Sequence, residues 1–161
     1  MSITLRLSSE PDLPLLLELV RAYHDLEGIT HSDPDPTAAI RPLLGESPLG
    51  RLWLICADAE PIGYVAICFG YSIEFAGRDA FVDELFVIEQ QRGKGIGKAA
   101  LALVKAEAAA LGVKVLHLEV SSSNDRARRL YRSAGFLPRR FSLMSAHLDS
   151  ASPWPDFPDR P

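Results

Sequence analysis

The stretch from Ala80 to Val120, "AFVDELFVIEQQRGKGIGKAALALVKAEAAALGVKVLHLEV", constrains the fold more than any other part of the chain. It opens with the strand-like run "AFVDELFV" and passes through "QRGKGIGK", where three glycines and three cations stand in eight residues. Ile96, Ala100, Leu103, Val104, Glu107 and Leu111 then follow helical spacing, with Glu107 the one polar member. Gly112 stops the helix, and "VKVLHLEV" follows as a strand of β-branched and long apolar residues. A strand, a helix and a second strand in this order must bury their apolar faces against one another. That requirement places the chain among mixed α/β domains with a central sheet and helices on its faces.

The flanking segments extend the pattern. "SITLRL" alternates as a first strand, and "SSEPDLPLLLELVRAYHDLEG" opens with cap-type serines, carries an apolar stripe and ends at Gly28. "ITHSDPDPT" is a loop, and "TAAIRPLLGE" is a short helix weakened by Pro42. "RLWLICAD" and "EPIGYVAICFGY" read as strands joined by a tight turn near Ala59 and Glu60. Downstream, "SSSNDRARRLYRSAGF" is a helix capped by Asn124, with Ala127, Leu130, Tyr131 and Ala134 on one face and Gly135 at its end. "RRFSLMSAHL" is expected as a last strand. Residues 1–148 form one domain, and "DSASPWPDFPDRP" (149–161), with four prolines in thirteen residues, reads as a tail.

Composition narrows the class. No apolar run reaches the roughly 18–20 residues that span a bilayer, so no membrane role is expected. The N-terminus lacks the order of a secretory signal, and the two cysteines, Cys56 and Cys68, stand in apolar strand-like runs. Reduced, buried thiols in a cytoplasmic protein are the expectation. No cluster of Cys and His suggests a metal, and none is expected. Residues 1–90 hold 5 Lys/Arg against 15 Asp/Glu (−10), whereas residues 91–161 hold 12 against 6 (+6). A basic half suits a polyanionic ligand and an acidic half a cationic one.

Three phosphate-binding readings of the glycine loop compete. A P-loop needs Ser or Thr after its Lys, but Ala99 follows Lys98. A dinucleotide fingerprint needs its glycines straight after the strand, but Ile88 to Gln91 intervene. For the third, "VDELFVIEQQRGKGIGKAAL" followed by "LHLEVSSSNDRARRLYRSAGF" resembles the GNAT superfamily of N-acetyltransferases. Arg92, Gly95 and Gly97 match its cofactor motif, and Asn124, Ala127, Leu130-Tyr131 and Gly135-Phe136 match its downstream signature in order and spacing.

The resemblance implies a twisted mixed sheet of six to seven strands, flanked by about four helices and splayed between its fourth and fifth strands. It implies acetyl transfer from acetyl-coenzyme A to a primary amine through a ternary complex. The pyrophosphate would lie on Arg92, Gly93, Lys94, Gly95, Ile96, Gly97 and Lys98, at the positive end of the following helix. The pantetheine would pair with Leu85, Phe86 and Val87 as an added strand, and Asn124 would bond it or cap its helix. Gly95→Val is expected to weaken the cofactor and leave the fold intact.

An alkylammonium with a pKa near 10 is only ~0.1% neutral at pH 7, an unfavourable equilibrium of about 4 kcal/mol, so a base is needed. The candidates are Asp83, Glu84 and Glu119; adjacent strand residues face opposite ways, so Asp83 and Glu84 share a cleft only across a bulge. Tyr131 is the acid for the leaving thiolate by its position in the motif. His24, His31 and His147 carry no partner at a recognisable spacing. Asp25, Glu27, Asp33, Asp35, Glu74 and Asp79 stand in the segments that build the family's acceptor cleft, which suits a small cationic amine. A peptide N-terminus, a lysine or an aminoglycoside is the alternative acceptor. A homodimer is the expected assembly. Two other classes stay open: a coenzyme A-binding sensor without turnover, and a nucleic-acid site on Arg126, Arg128, Arg129, Arg132, Arg139 and Arg140. The absence of interleaved aromatics disfavours the second.

Overall fold

The computed structural model describes residues 1–29, 35–146 and 148. Asp33, His31, His147 and the proline-rich segment 149–161, with Trp154 and Phe157, lie outside the described residues. The elements are β1 (Ile3–Leu7), α1 (Leu13–Glu27), α2 (Thr37–Ile40), β2 (Gly50–Ala57), β3 (Glu60–Ser72), β4 (Gly77–Val87), α3 (Ile96–Ala110), β5 (Val115–His117) and α4 (Asp125–Ser133). Pro42 sits in a single 3-10 turn, Arg41–Leu43, directly after α2, where its missing N–H does not interrupt a longer helix.

The strands form one sheet in the order β1-β2-β3-β4-β5. The first four are antiparallel neighbours, and β5 lies parallel to β4. The sheet therefore has five described strands, not the six to seven expected. The expected last strand is not formed among residues 139–146 and 148. Its side chains are engaged otherwise: Arg139 pairs with Glu74 at 2.6 Å, and Arg140 lies 4.6 Å from the centre of the Phe141 ring. Phe141 is 62% exposed and Met144 91% exposed, so no apolar face is buried to hold a ladder. The strand expected over "VKVLHLEV" also contracts to Val115–His117.

Alternation in β2, β3 and β4 builds two cores, one on each face of the sheet. Trp53, Ile55, Val65, Ile67, Ala80 and Val82 pack with Ile96, Ala100, Val104 and Ala108 of α3. On the other face Leu52, Leu54, Tyr64, Ala66 and Phe86 meet Leu13, Leu16, Leu19 and Val20 of α1. Each fully buried Leu or Ile stabilises the fold by roughly 1.5–3 kcal/mol.

One irregularity in β4 decides what lies on which face. Ala66 pairs with Glu84, but Ile67 pairs with Val82, so Asp83 is an extra residue in a β-bulge. Simple alternation would put Glu84 on the α3 face with Val82. The bulge turns it to the α1 face beside Tyr64 and Phe86.

The entry into α1 is held electrostatically. Arg6 on β1 forms a two-pronged ion pair with Asp12 (2.7 and 3.0 Å), and the Ser9 backbone N–H donates to the same carboxylate at 2.9 Å. The Arg6 side chain, followed by these Ser9 bonds, holds the Asp12 carboxyl below its ordinary value against the opposing effect of burial. A lowered folded-state pKa gives stability that is complete above the unfolded value near 3.9 and disappears as pH falls through the folded value. Asp12→Asn is therefore expected to cost about 1 kcal/mol at pH 7. Urea unfolding at pH 7 and below pH 3 checks this: the two proteins should converge at the lower pH.

Candidate active site

After β4 the chain makes a 3-10 turn, Glu89–Gln91, and reaches the glycine loop. Arg92 turns back: its Nε donates to the Val87 carbonyl at 2.7 Å, and its guanidinium lies 5.2 Å from the Phe86 ring centre. Arg92 thus braces the loop against the end of β4. Lys94 Nζ donates to Gln91 Oε1 at 2.8 Å, and Lys98 is exposed on the first turn of α3.

Gly95 is the N-cap of α3 at φ +80°, and no side chain caps the helix. The first bond back into the cap runs from the Ala99 N–H to the Gly95 carbonyl at 3.1 Å. The N–H groups of the preceding turn are consequently directed out of the helix start, with the positive end of a 15-residue helix behind them. Gly97 has a different reason to be glycine: a Cβ there would stand 3.1 Å from Leu130 Cδ2, where α3 and α4 touch. Gly95→Val therefore also carries a cost in the fold itself, because a β-branched residue is strained at φ +80° whatever the surrounding space.

The cleft itself comes from lost pairing. β4 and β5 are paired only over Asp79–Val115, Ala80–Leu116 and Phe81–His117. Beyond Phe81, β4 keeps β3 on one side and has no ladder on the other. The Ile88 N–H donates to the Ile62 carbonyl at 2.9 Å, which sets the alternation of ladder bonds. By that alternation Glu84 and Phe86 turn their N–H and C=O groups toward β3, while Leu85 and Val87 turn theirs to the open side. The Val87 carbonyl, held by Arg92, lies on that open side as the alternation requires. Of the three residues expected to form a pairing edge, Leu85 and Val87 present backbone to the cleft and Phe86 does not; its ring is core.

Across the cleft, Asn124 caps α4 by accepting a bond from the Ala127 N–H at 3.0 Å. Leu130 meets α3, and Tyr131, half-buried, packs edge-to-face on Phe136 with centroids 6.2 Å apart. Burial first, and then the charge of Glu27, push the Tyr131 hydroxyl up, so it is a protonated donor at neutral pH. It lines an open groove of about 1400 Å³ together with Tyr23, Glu27, Asp79, His117 and Glu119.

The three candidate acids separate here. Glu119 lies past the end of β5, exposed on the groove wall. Asp83 and Glu84 are not in that lining; they lie on β4 just past the divergence. Loss of hydration and then Glu84 raise the Asp83 carboxyl, while His24 opposes. Glu84 is held on both oxygens: His24 Nε2 is 2.6 Å from Oε1, and the buried Tyr64 hydroxyl donates to Oε2 at 2.7 Å. Tyr23, packed against His24, Tyr64 and Phe86, joins this cluster to the groove. Its hydroxyl is raised by burial, then by Glu27, Glu84, Tyr131 and Asp83. His24, Tyr23 and Tyr64 carry no local motif; sequence separations of 60 and 20 residues hide their meeting with Glu84.

Of the acids expected around the acceptor, Glu27, Glu74 and Asp79 line the groove. Asp35 instead accepts a bond from the Thr37 N–H, ahead of α2, at 3.0 Å. Within the arginine cluster Arg139 is paired with Glu74 and Arg128 donates to the Ser122 carbonyl at 3.1 Å, and both line the groove with Arg132. Among the described residues no group of three or more His, Cys, Asp or Glu could hold a metal ion, and no helix is long and apolar enough to cross a membrane.

Gly95→Val is expected to lower stability by roughly 1–2 kcal/mol, the cost of a left-handed conformation, whereas Gly95→Asn should lose less. Urea midpoints of the two variants measure the difference.

Residues 16–136 match the Acetyltransferase (GNAT) family. The chain is 28% identical to a thialysine N-epsilon-acetyltransferase of Bos taurus, over 83% of each chain. It is 32% identical to an aminoglycoside N(6')-acetyltransferase type 1 of Klebsiella pneumoniae, over 84% of this chain and 74% of that one. Among solved structures, an integron cassette protein from the mobile metagenome of Cole Harbour Salt Marsh superposes with TM-score 0.78 at 34% identity, over 90% of both chains. An acetyltransferase from Clostridium acetobutylicum, solved with acetyl-CoA, shares the fold at TM-score 0.72 and 21% identity, over 90% of this chain and 96% of that one. The chain thus belongs to the GNAT acetyltransferase family and is an acyl-CoA-dependent N-acetyltransferase.

Proposed function

We propose that the enzyme moves an acetyl group from acetyl-coenzyme A to a primary amine of a small cationic acceptor, by direct attack in a ternary complex. The observation that carries this reading is the divergence of β4 from β5, with the uncapped start of α3 at one end and the Tyr131 hydroxyl in the groove. The residues fit the coenzyme in three places. The N–H groups from Gly93 to Lys98 suit a pyrophosphate, with Lys94 and Lys98 adding charge. Leu85 and Val87 offer backbone groups to an extended amide chain. Asn124, although it caps α4 with Oδ1, stands at the start of the helix that carries Tyr131.

Acetyl-coenzyme A supplies the acetyl group already activated as a thioester. A carboxylate of this chain takes the proton that leaves the acceptor's ammonium, freeing the nitrogen lone pair to form the new C–N bond. Backbone N–H groups at the open edge of β4 stabilise negative charge on the carbonyl oxygen. Tyr131 gives its proton to the sulfur as the C–S bond breaks, so a thiol departs rather than a thiolate, and the tyrosinate is restored by the second proton that the nitrogen loses as the amide forms. Among the acids, Glu84 has the firmest position, with Asp83 beside it in the bulge and Glu119 on the opposite wall.

The acceptor class is supported by Glu27 and Asp79 in the groove lining, beside Tyr23 and Phe81; Glu74 is paired with Arg139, and Lys105, Lys114, Arg128 and Arg132 share the lining. Carboxylates beside aromatic faces attract a cationic amine. The two relatives named for thialysine and aminoglycosides point to the same class. Tyr131→Phe should reduce thiol release roughly 10²–10³-fold at saturating substrates, with little change in acetyl-coenzyme A affinity. Unchanged turnover would remove Tyr131 from the chemistry. A thiol-release screen against diamines, thialysine, an aminoglycoside and an N-terminal peptide tests the acceptor class; turnover of the peptide alone would refute it.

A further inference from the structure

Glu84 is held by side chains from two further elements. α1 brings His24 to Glu84 on β4, with Nε2 2.6 Å from Oε1, and β3 brings the Tyr64 hydroxyl to Oε2 at 2.7 Å. The His24 and Glu84 side chains are 13% and 20% exposed, and Tyr64 is wholly buried. The bulge at Asp83 is what aims Glu84 at these partners, since regular alternation would send it to the opposite face of the sheet. Burial first, and then the Glu84 charge, push the Tyr64 hydroxyl far up, so it remains a donor across the working pH range. Tyr64 therefore fixes where the carboxylate is without changing its own charge.

His24 is different, because imidazole is the side chain whose charge changes near neutral pH. Resting on the reading that Glu84 is the base, we infer that His24 is a positioning residue that gates it. Neutral His24 donates its Nε2–H to Glu84 and leaves the carboxylate able to take up the acceptor's proton. Protonated His24 makes an ion pair with Glu84, and the pair already carries the proton that the reaction must deposit there. Two protons leave the acceptor's nitrogen as its ammonium becomes an amide: one is bound by the Glu84–His24 pair, which later returns it to solvent, and the other replaces the proton that Tyr131 gives to the sulfur. The groups that face the pair include Tyr23 on α1, Tyr64 on β3 and Asp83 on β4.

Two readouts test this. In the free full-length enzyme, the His24 ring is followed by ¹H–¹⁵N NMR titration. Glu84→Gln should lower its midpoint by about one pH unit, because a carboxylate in contact favours the imidazolium. An unchanged midpoint would overturn the pairing without touching the transferase reading. In turnover, with acetyl-coenzyme A and thialysine as the probe acceptor, wild-type kcat should fall on the acid side of neutrality. His24→Gln, which keeps a donor but cannot take up a proton, should abolish that limb between pH 6 and pH 8 and reduce kcat by roughly 10-fold at pH 8. Tyr64→Phe should lower kcat and keep the limb. A limb that persists in His24→Gln overturns the gate. Absence of wild-type turnover removes thialysine as an acceptor, and the free-enzyme titration separates that outcome from failure of the pair.

Discussion

Everything functional in this fold depends on β4 losing its β5 partner after Phe81. Three parallel pairs anchor the two strands, and from Val82 onward β4 is a strand in the sheet with one bare edge. A bare edge is normally a liability, since its N–H and C=O groups solicit another strand. Here it faces a groove rather than open solvent, and the alternation of the ladder selects Leu85 and Val87 as the residues that supply it. The same divergence leaves room for α4 to present Tyr131 opposite that edge. Arg92 closes the arrangement by holding the Val87 carbonyl and leading the chain into the start of α3.

The bulge at Asp83 is the second constraint, and it works on faces rather than edges. One inserted residue moves Glu84 from the α3 core to the α1 core, where Tyr64 and His24 are waiting. Buried carboxylates are costly without partners, and this one has a donor on each oxygen. The acid-rich N-terminal half then has two separate uses. Glu84 is held in a defined place, whereas Glu27, Glu74 and Asp79 line the groove, Glu74 in a pair with Arg139.

Much of this was legible in the residues. The order of strands and helices, the start of α3 at the glycines, the Asn124 cap and the Tyr131 face all follow from local spacing and turn chemistry. The number of strands did not follow, because "RRFSLMSAHL" has strand-like alternation but no apolar face to bury, and its arginines find Glu74 and Phe141 instead. The conformational need at Gly95 differs from the packing need at Gly97, and nothing in "GKGIGK" distinguishes a left-handed N-cap from a helix-contact glycine. Above all, His24 stood without a partner at any recognisable spacing. Its partner lies 60 residues away, across a helix-to-sheet contact and one bulge, and only tertiary structure joins them.

The central claim is that the coenzyme completes the bare edge of β4 and rests on the start of α3. Residue-resolved amide hydrogen exchange, with and without coenzyme A, tests it most directly. In the free enzyme the Phe86 amide should already exchange slowly through its bond to β3, while those of Leu85 and Val87 exchange faster. Coenzyme A should slow Leu85, Val87 and the amides from Gly95 to Lys98, and leave Phe86 unchanged. Protection confined to other segments, with Leu85, Val87 and the α3 start unaffected, would contradict the account.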